Sequence, residues 1–481
     1  MPTRVIDVGT NTTKNIRLYE TMGEKGEWIA LTHLWGRSEP YFSTTRQNLY
    51  DRMAGIAWEK LPATFQDAVT VTRALGHRYL WIDSLCIIQG RDGDFNEEAK
   101  RMEEVYSGAY CVIAASCATG HQSGFLSKRV KRDAVALRGL DNNPFLDPQE
   151  QGTIYICQII DDFKAHVLDG NLNKRAWVMQ EHALARRTIF FTGHQTYWEC
   201  GQGVRCETMT NMSKQVIPMF LDSYVSRTSI YEANTIYSTL AASLGDPNFP
   251  HILIKASKAE RIVRYQRLFQ DYSRLGLTMA YDRPVAIDGL QRRLLRVLGA
   301  RGNFGVFDDY SSRGLLCRSL LWYRGEDTDR LEKIKFPADR SISDVPSWSW
   351  MAYTGGINYF KPEYDRYEWK DIDPPWSQNT HCERGVALVA EAQEYEHNVR
   401  DLFKENCKLV FDCLEEPTTK PELCVVLGVE KVNIEKGLKR HYVMLVKKTG
   451  ESDRFPVCHR IGAGFLLGKF IRSTTSRISI H

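Results

Sequence analysis

Trp177 and Glu181 stand four residues apart in the segment Arg175-Ala-Trp-Val-Met-Gln-Glu-His-Ala-Leu184. On a helix, positions i and i+4 share a face, so the indole would shield one side of the carboxylate. A shielded carboxylate can stabilise a developing positive charge and hold hydroxyl groups by hydrogen bonding. The plainer reading is a solvated helix residue paired with Arg186 or Arg187, as most helical glutamates are. Asp83-Ser84 and Trp35-Gly36 each follow a run that reads as a buried strand, Tyr79–Ile82 and Trp28–Leu34. In open α/β sheets ligands bind outside the carboxyl ends of the strands. There Asp83 could hold a ribose or an arginine, Trp35 could stack on a base, and Gly36 could let backbone approach a phosphate. Against this, Asp and Ser are frequent caps, and Trp35-Gly36 also reads as a core tryptophan before a turn. Gln89 reads as a polar anchor at the loop mouth or as a turn residue. Arg101 faces either a phosphate or one of Glu97, Glu98 and Glu104. Cys86 precedes Ile87-Ile88 and has no histidine tied to it, which marks a core thiol. His194, Cys200 and Cys206 match no metal-ligand spacing, so no metal is expected.

These side chains need elements to place them. Leu61-Pro-Ala-Thr64 opens a helix with proline in the first turn. Phe65, Ala68, Val69, Thr72 and Leu75 recur at helical spacing, and Gly76 ends it. A second helix is predicted over Phe95–Ser107 and a strand over Tyr110–Ser116. With the strands at 28–34 and 79–82, the order is β-α-β-α-β, which predicts a mainly parallel sheet flanked by helices. Arg4–Val8 and Asn15–Tyr19 read as two short strands, Thr153–Ile160 as another, Arg175–Leu184 as a helix and Arg187–Thr192 as a strand, with Tyr197–Cys200 closing the module. Residues 127–150 form an irregular insert. We expect an α/β unit over 1–207, a mostly helical region over 208–345, built around Ile252–Gly276 and Ala286–Leu298, and a β-rich end over 346–481. Together the last two make a C-terminal α+β region. The Pro-Ser-Trp-Ser-Trp block at 346–350 reads as packing between halves, and the tail from Thr474 as frayed.

The chain has 481 residues, 43% hydrophobic and 25% charged, which is globular composition and more than one core can absorb. A net charge of +4, spread along the chain, argues against nucleic acid as a partner. The 12 cysteines include no CxxC pair, which predicts free thiols in a reducing compartment. With no signal-type start and no run long enough to cross a bilayer, a cytoplasmic protein is expected.

Four ordered blocks carry a family resemblance. They are Trp28-Ile-Ala-Leu-Thr-His-Leu-Trp-Gly36; Leu61–Ala68 with Arg78–Gln89; Glu98–Met102 through Val105-Tyr-Ser107 to Ala114-Ala-Ser116; and Arg175–Glu181 closing on Tyr197-Trp-Glu-Cys200. They resemble the fungal HET (heterokaryon incompatibility) domain, and the segments around Leu277-Thr278, Asp282-Arg283, Gly289, Leu321-Trp322 and Pro346–Trp350 resemble the C-terminal halves of such proteins. HET domains look like remote relatives of TIR domains, which implies a flavodoxin-like fold. Catalytic TIR domains use the glutamate of Trp-x-x-x-Glu to cleave NAD⁺ between ribose and nicotinamide. The resemblance therefore implies that Glu181 is catalytic, and that Thr32, Trp35, Gly36, Asp83, Ser84, Gln89, Arg101 and Trp177 contact substrate. NAD⁺ would be a substrate rather than a cofactor, giving nicotinamide and ADP-ribose or a cyclic variant. One acid suffices, because nicotinamide departs neutral from a cationic ring, whereas ordinary glycosidases must protonate the leaving oxygen with a second carboxyl group. The resemblance also implies a homo-oligomer and a protein partner in cell-death signalling, with non-catalytic self-association as the alternative. Two departures fall beside the expected pocket: Thr32-His-Leu34 stands for the family's Ser-Tyr-Cys, and Gly90-Arg91 for an acidic pair.

Overall fold

The computed structural model describes residues 1–10, 15–36, 41–127, 129, 134–138, 153–157, 160–201, 203–207, 211–212, 257–309, 314–337, 345–376, 386–396, 407–413, 423–432, 435–452 and 454–481. Most of the predicted insert at 127–150 and the first residues of the helix expected from Ile252 lie outside these.

Nine strands form the large sheet: β1 (Arg4–Asp7), β2 (Arg17–Glu20), β3 (Ile29–Thr32), β4 (Tyr79–Trp81), β5 (Cys111–Ala114), β6 (Arg187–Phe191), β7 (Thr196–Cys200), β8 (Gly203–Cys206) and β9 (Asn211–Met212). The spatial order is β9-β8-β7-β6-β5-β3-β4-β1-β2. The central four, β6-β5-β3-β4, are parallel, with Ile29 opposite both Leu80 and Cys111. Every residue of β3 and β5 is buried, as expected of strands covered on both faces.

The sheet is less parallel than the sequence predicts. A hairpin, β1–β2, closes one edge and the meander β6–β9 closes the other, all antiparallel. Successive strands here are separated by two to nine residues, fewer than the dozen or so that a parallel crossover needs. Tyr197–Cys200 therefore does not end the module. The expected strand at Thr153–Ile160 is Thr153–Cys157, which pairs with Ala134–Arg138 in a separate hairpin and not with the sheet.

Counted from β3, the parallel strands lie in the order 2-1-3-4, the flavodoxin-like order. The chain leaves β3 toward β4 on one side, then returns past it to β5 and on to β6. With right-handed crossovers this puts helices on both faces and opens a switch point between the carboxyl ends of β3 and β5. The first crossover carries α1 (Leu49–Ala54) and α2 (Ala63–Ala74). The second carries α3 (Asp83–Cys86), α4 (Phe95–Lys100) and α5 (Met102–Gly108). The single helix expected over Phe95–Ser107 is two, divided at Arg101, where the amide turns to the nearer carbonyls of Glu98 and Ala99 and the regular helical hydrogen bonding lapses for one residue. α6 (Ala176–Leu184) precedes β6.

The core of this module continues into later residues. α7 (Lys258–Ser273) starts on a capping box between Ser257 and Glu260, and α8 (Asp288–Leu298) ends on Gly299 in the left-handed region. Ile262, Phe269, Leu290, Trp350 and Tyr359 share one apolar cluster with Val5, Leu31 and Tyr106. Within Pro346–Trp350, Trp350 packs on Phe269 and Tyr272. Trp348 turns the other way, into a second core with Leu388, Leu427 and Met444.

That second core fills a closed barrel. Leu388–Tyr395 pairs with Leu423–Glu430 and Ile471–Ile480; Val457–Leu467 pairs with Ile471–Ile480 and Arg440–Gly450; and Arg440–Gly450 returns to Leu423–Glu430. The tail from Thr474, expected to fray, is one of these strands. Its Ile478 and Ile480 are fully buried, and apolar burial at alternate positions fixes a strand in register.

Candidate functional site

A cleft of about 730 Å³ opens at the switch point, within the range of small-molecule sites. Leu31, His33, Trp35 and Gly36 enter it from β3 and the loop beyond. Asp83, Gln89 and Arg91 come from the segment after β4, and Thr119 from the segment after β5. Arg175, Trp177, Val178 and Glu181 come from α6. Of the nine residues expected at a site, Trp35, Gly36, Asp83, Gln89, Trp177 and Glu181 meet here. Thr32 lies behind Glu181, Ser84 lies beneath Asp83, and Arg101 is elsewhere. Its guanidinium contacts Thr3, with Glu98 at 3.6 Å and Glu104 at 3.7 Å. The helix break turns it to the outer surface.

Glu181 is buried, and burial raises its pKa to about 7. The nearby Asp83 charge adds to the rise, while Thr32, Arg175 and the Tyr106 hydroxyl oppose it. The Thr32 hydroxyl sits next to the carboxylate but completes no well-formed hydrogen bond. A buried acid poised near neutrality is the kind of group that active sites tune. Trp177, one turn before Glu181, packs edge-on against Phe95 with ring centroids 5.9 Å apart.

Asp83 is already engaged. The Trp35 indole N–H donates to Oδ2 at 2.8 Å and the Ser84 amide donates to Oδ1 at 2.7 Å. It therefore satisfies the next amide of its own short helix and holds Trp35 at the cleft, while burial lifts its pKa. Trp35 packs edge-on against Tyr41 at 5.5 Å. Gly36 has φ +89°, and a side chain there would come within 3.1 Å of the Gly120 Cα. Glycine lets the loops after β3 and β5 touch. The Ser84 hydroxyl donates to the Phe42 carbonyl, and the Gln89 amide donates to the Ile87 carbonyl at 3.1 Å. Cys86 is buried, with its thiol pushed up to about 12, which removes it as a nucleophile. His194 stacks on His166, and the Cys206 thiol approaches Asp161 at 3.5 Å.

The position of α6 is fixed from three directions. The Ala176 amide donates to the Gly276 carbonyl at 2.9 Å, and the Gly276 amide donates to the Lys174 carbonyl at 2.8 Å. His182 Nε2 meets Glu199 Oε2 at 2.6 Å, with Glu199 buried and His182 partly so. Gln180 Oε1 accepts from the Leu290 amide at the start of α8. The helix thus turns Glu181 toward the cleft while its neighbours on either side tie it to the sheet and to α8.

Sequence reasoning missed several lining residues. Thr278, Met279, Tyr281 and Asp282 complete the wall from far along the chain, and no local pattern links them to α6. His33, Tyr106 and Arg175 were inside the quoted blocks, where their types were the available signal. His33 is enclosed, with burial holding its pKa down to about 3, and His121, whose ring centroid lies 5.1 Å away, falls to about 4. Both rings are neutral at physiological pH.

The fold and cleft define a class: an α/β module with a cleft at the switch point of a parallel core ordered 2-1-3-4, and an acid-bearing helix as one wall. Residues 28–181 match the family model described as Heterokaryon incompatibility protein (HET), so this part of the chain is a HET domain. The match runs from the strand that brings Trp35 into the cleft to Glu181 itself. Neither curated proteins nor solved structures give a match.

Proposed function

We propose that this chain cleaves NAD⁺ between the nicotinamide nitrogen and ribose C1′, and that the cleavage serves heterokaryon incompatibility and cell death. The observation that carries it is the convergence of Glu181 and Trp177 with the strand-end residues Trp35 and Asp83 in one cleft. The reading also leans on the resemblance of the Trp-x-x-x-Glu block to that of catalytic TIR domains.

In this reading the C1′–N bond breaks with its electron pair leaving on nicotinamide, which departs neutral. The ribosyl cation left behind is stabilised by the Glu181 carboxylate at close range in a poorly solvated site. Water adds to C1′ and loses a proton, which an acid with a pKa near 7 can accept. The products are nicotinamide and ADP-ribose. Trp35 and Trp177 offer aromatic surfaces to the ring, and the neighbouring Tyr106 and Thr32 hydroxyls favour the charged Glu181 carboxylate.

The test is nicotinamide release from NAD⁺ by the purified chain at high protein concentration, followed by chromatography. Release that falls by about 10²- to 10³-fold in Glu181→Gln, the scale for losing a principal electrostatic stabiliser, supports the reading. Absence of release in the unaltered chain, with concentration-dependent self-association by ultracentrifugation, would favour a scaffold in which Glu181 does no chemistry.

A further inference from the structure

We propose that the amino end of α6 is an anion subsite, in which Arg175 and His33 hold a phosphate group of the ligand while Glu181 faces its cationic ring end. The inference rests on the nucleotide reading above and specifies how that ligand lies in the cleft.

Arg175 lines the cleft half-buried. Among the described residues no hydrogen bond or ion pair engages its guanidinium. It is nonetheless near enough to pull the pKa of Glu181 and Asp83 down. Neither acid is its partner. Asp83 has given one oxygen to Trp35 and the other to the Ser84 amide. Glu181 is buried among Thr32, Tyr106 and Asp83. A half-buried cation without a partner is costly unless a ligand supplies the counter-charge, and a guanidinium fork suits the paired oxygens of a phosphate.

Two further features converge on the same place. Arg175 is the N-cap of the nine-residue α6, and no side chain caps that helix start. Of the first amides, Ala176 donates to Gly276. Trp177 and Val178 follow it and line the cleft. Amides at a helix start and the positive end of the dipole favour an anion. The independent observation is His33. Its side chain is 1% exposed, it lines the cleft, and among the described residues its Nε2 has no hydrogen-bond partner. A buried, unpartnered ring nitrogen on a residue that lines a cleft, and whose charge Arg175 already opposes, is a group that a ligand atom can satisfy.

The two charged groups are ordered along α6. At 1.5 Å per residue, positions 175 and 181 are separated by about 9 Å of helix axis. A ligand lying along α6 would set negative charge at the Arg175 end and positive charge at the Glu181 end. NAD⁺ has that polarity, with its pyrophosphate on one side of the nicotinamide ribose and the cationic ring on the other.

Binding without turnover tests this. Titration calorimetry would compare ADP-ribose, inorganic pyrophosphate and nicotinamide riboside on the unaltered chain, Arg175→Gln, Arg175→Lys and His33→Phe. ADP-ribose should bind about 10- to 100-fold more weakly to Arg175→Gln, the scale of a charge-assisted hydrogen bond pair, and Arg175→Lys should recover part of the loss. Inorganic pyrophosphate should compete with ADP-ribose, and nicotinamide riboside should bind both forms alike. A thermal melt of each variant excludes misfolding as the cause. Equal ADP-ribose affinity in Arg175→Gln and the unaltered chain would overturn the subsite, as would failure of pyrophosphate to compete. Loss of ADP-ribose binding in a chain that never releases nicotinamide would leave the subsite standing and the hydrolase reading fallen. Unchanged hydrolysis and binding in Arg175→Gln would do the reverse.

Discussion

Glu181 and Asp412 are both buried acids, and burial raises the pKa of each. Asp412 sits at the edge of the C-terminal barrel and meets Arg460 at 3.0 Å, with both side chains almost wholly enclosed. Arg460 also donates to the Leu320 and Trp322 carbonyls and sits over the Trp322 ring, 3.3 Å from its centroid. Among the described residues, each of the three Arg460 guanidinium nitrogens has an acceptor. Glu181 has a similar degree of enclosure but only loosely held neighbours, with Arg175 and His33 left open beside it. A buried charge whose needs are met inside the chain reads as architecture. One whose needs are unmet reads as a place for something else.

The contrast can be broken first at the barrel. Asp412→Ala leaves Arg460 enclosed without a counter-charge and should cost about 3–5 kcal/mol, the scale for breaking a buried pair, measured by chemical denaturation of the whole chain. A loss under about 1 kcal/mol would mean that the pair is not the structural lock described. Glu181→Gln should move the other way. The pKa of Glu181 in the fold is about 7, against an ordinary 4.5. The fold therefore favours the protonated acid. That contribution is complete below about pH 4.5 and is lost as pH rises through 7. A neutral amide escapes the loss, so the variant should be more stable at pH 8, by on the order of 1–3 kcal/mol, and no different at pH 4. A destabilised Glu181→Gln at pH 8 would make Glu181 a structural acid like Asp412.

The same ionisation sharpens the hydrolase reading. Only the carboxylate stabilises a cation, so nicotinamide release should fall roughly tenfold or more between pH 7.5 and 5.5. A profile flat across that window would detach Glu181 from the chemistry. The smallest effect lies at the wall of the cleft. Gly276→Pro deletes the amide that donates to Lys174, at a cost of about 1 kcal/mol. Faster hydrogen exchange at Ala176 would show that the bridge holds the start of α6, and unchanged exchange would separate the two.

Much of this was legible in the chain. Buried strands announced themselves as unbroken apolar runs at Ile29–Thr32 and Cys111–Ala114, and α2 by its period. The Trp177–Glu181 spacing placed both on one face and into the cleft. What stayed hidden was long-range. The antiparallel edges depend on short connections whose partners the pattern does not name. Arg101 looked like a phosphate ligand by type, and only the break in the helix shows it facing Thr3 and Glu98. The pocket wall at 278–282 depends on α7 and α8 docking against the module, and pairing over a hundred residues leaves no local trace. The last barrel strand was misread because Arg472, Ser473, Thr474 and Thr475 are polar and exposed, while the residues that lock it are the final isoleucines.

Gly289 shows how tightly the two parts of the chain are joined. A Cβ at this position would lie 2.8 Å from the Glu103 Cβ and 3.0 Å from Gln180 Oε1, one residue from the acid in the cleft. Substitution at 289 would therefore be felt at 103 and 180 before it was felt by its own helix. Among related sequences these three positions should drift together or not at all. A HET module grafted onto a different C-terminal half would inherit the acid without the surface that sets its angle.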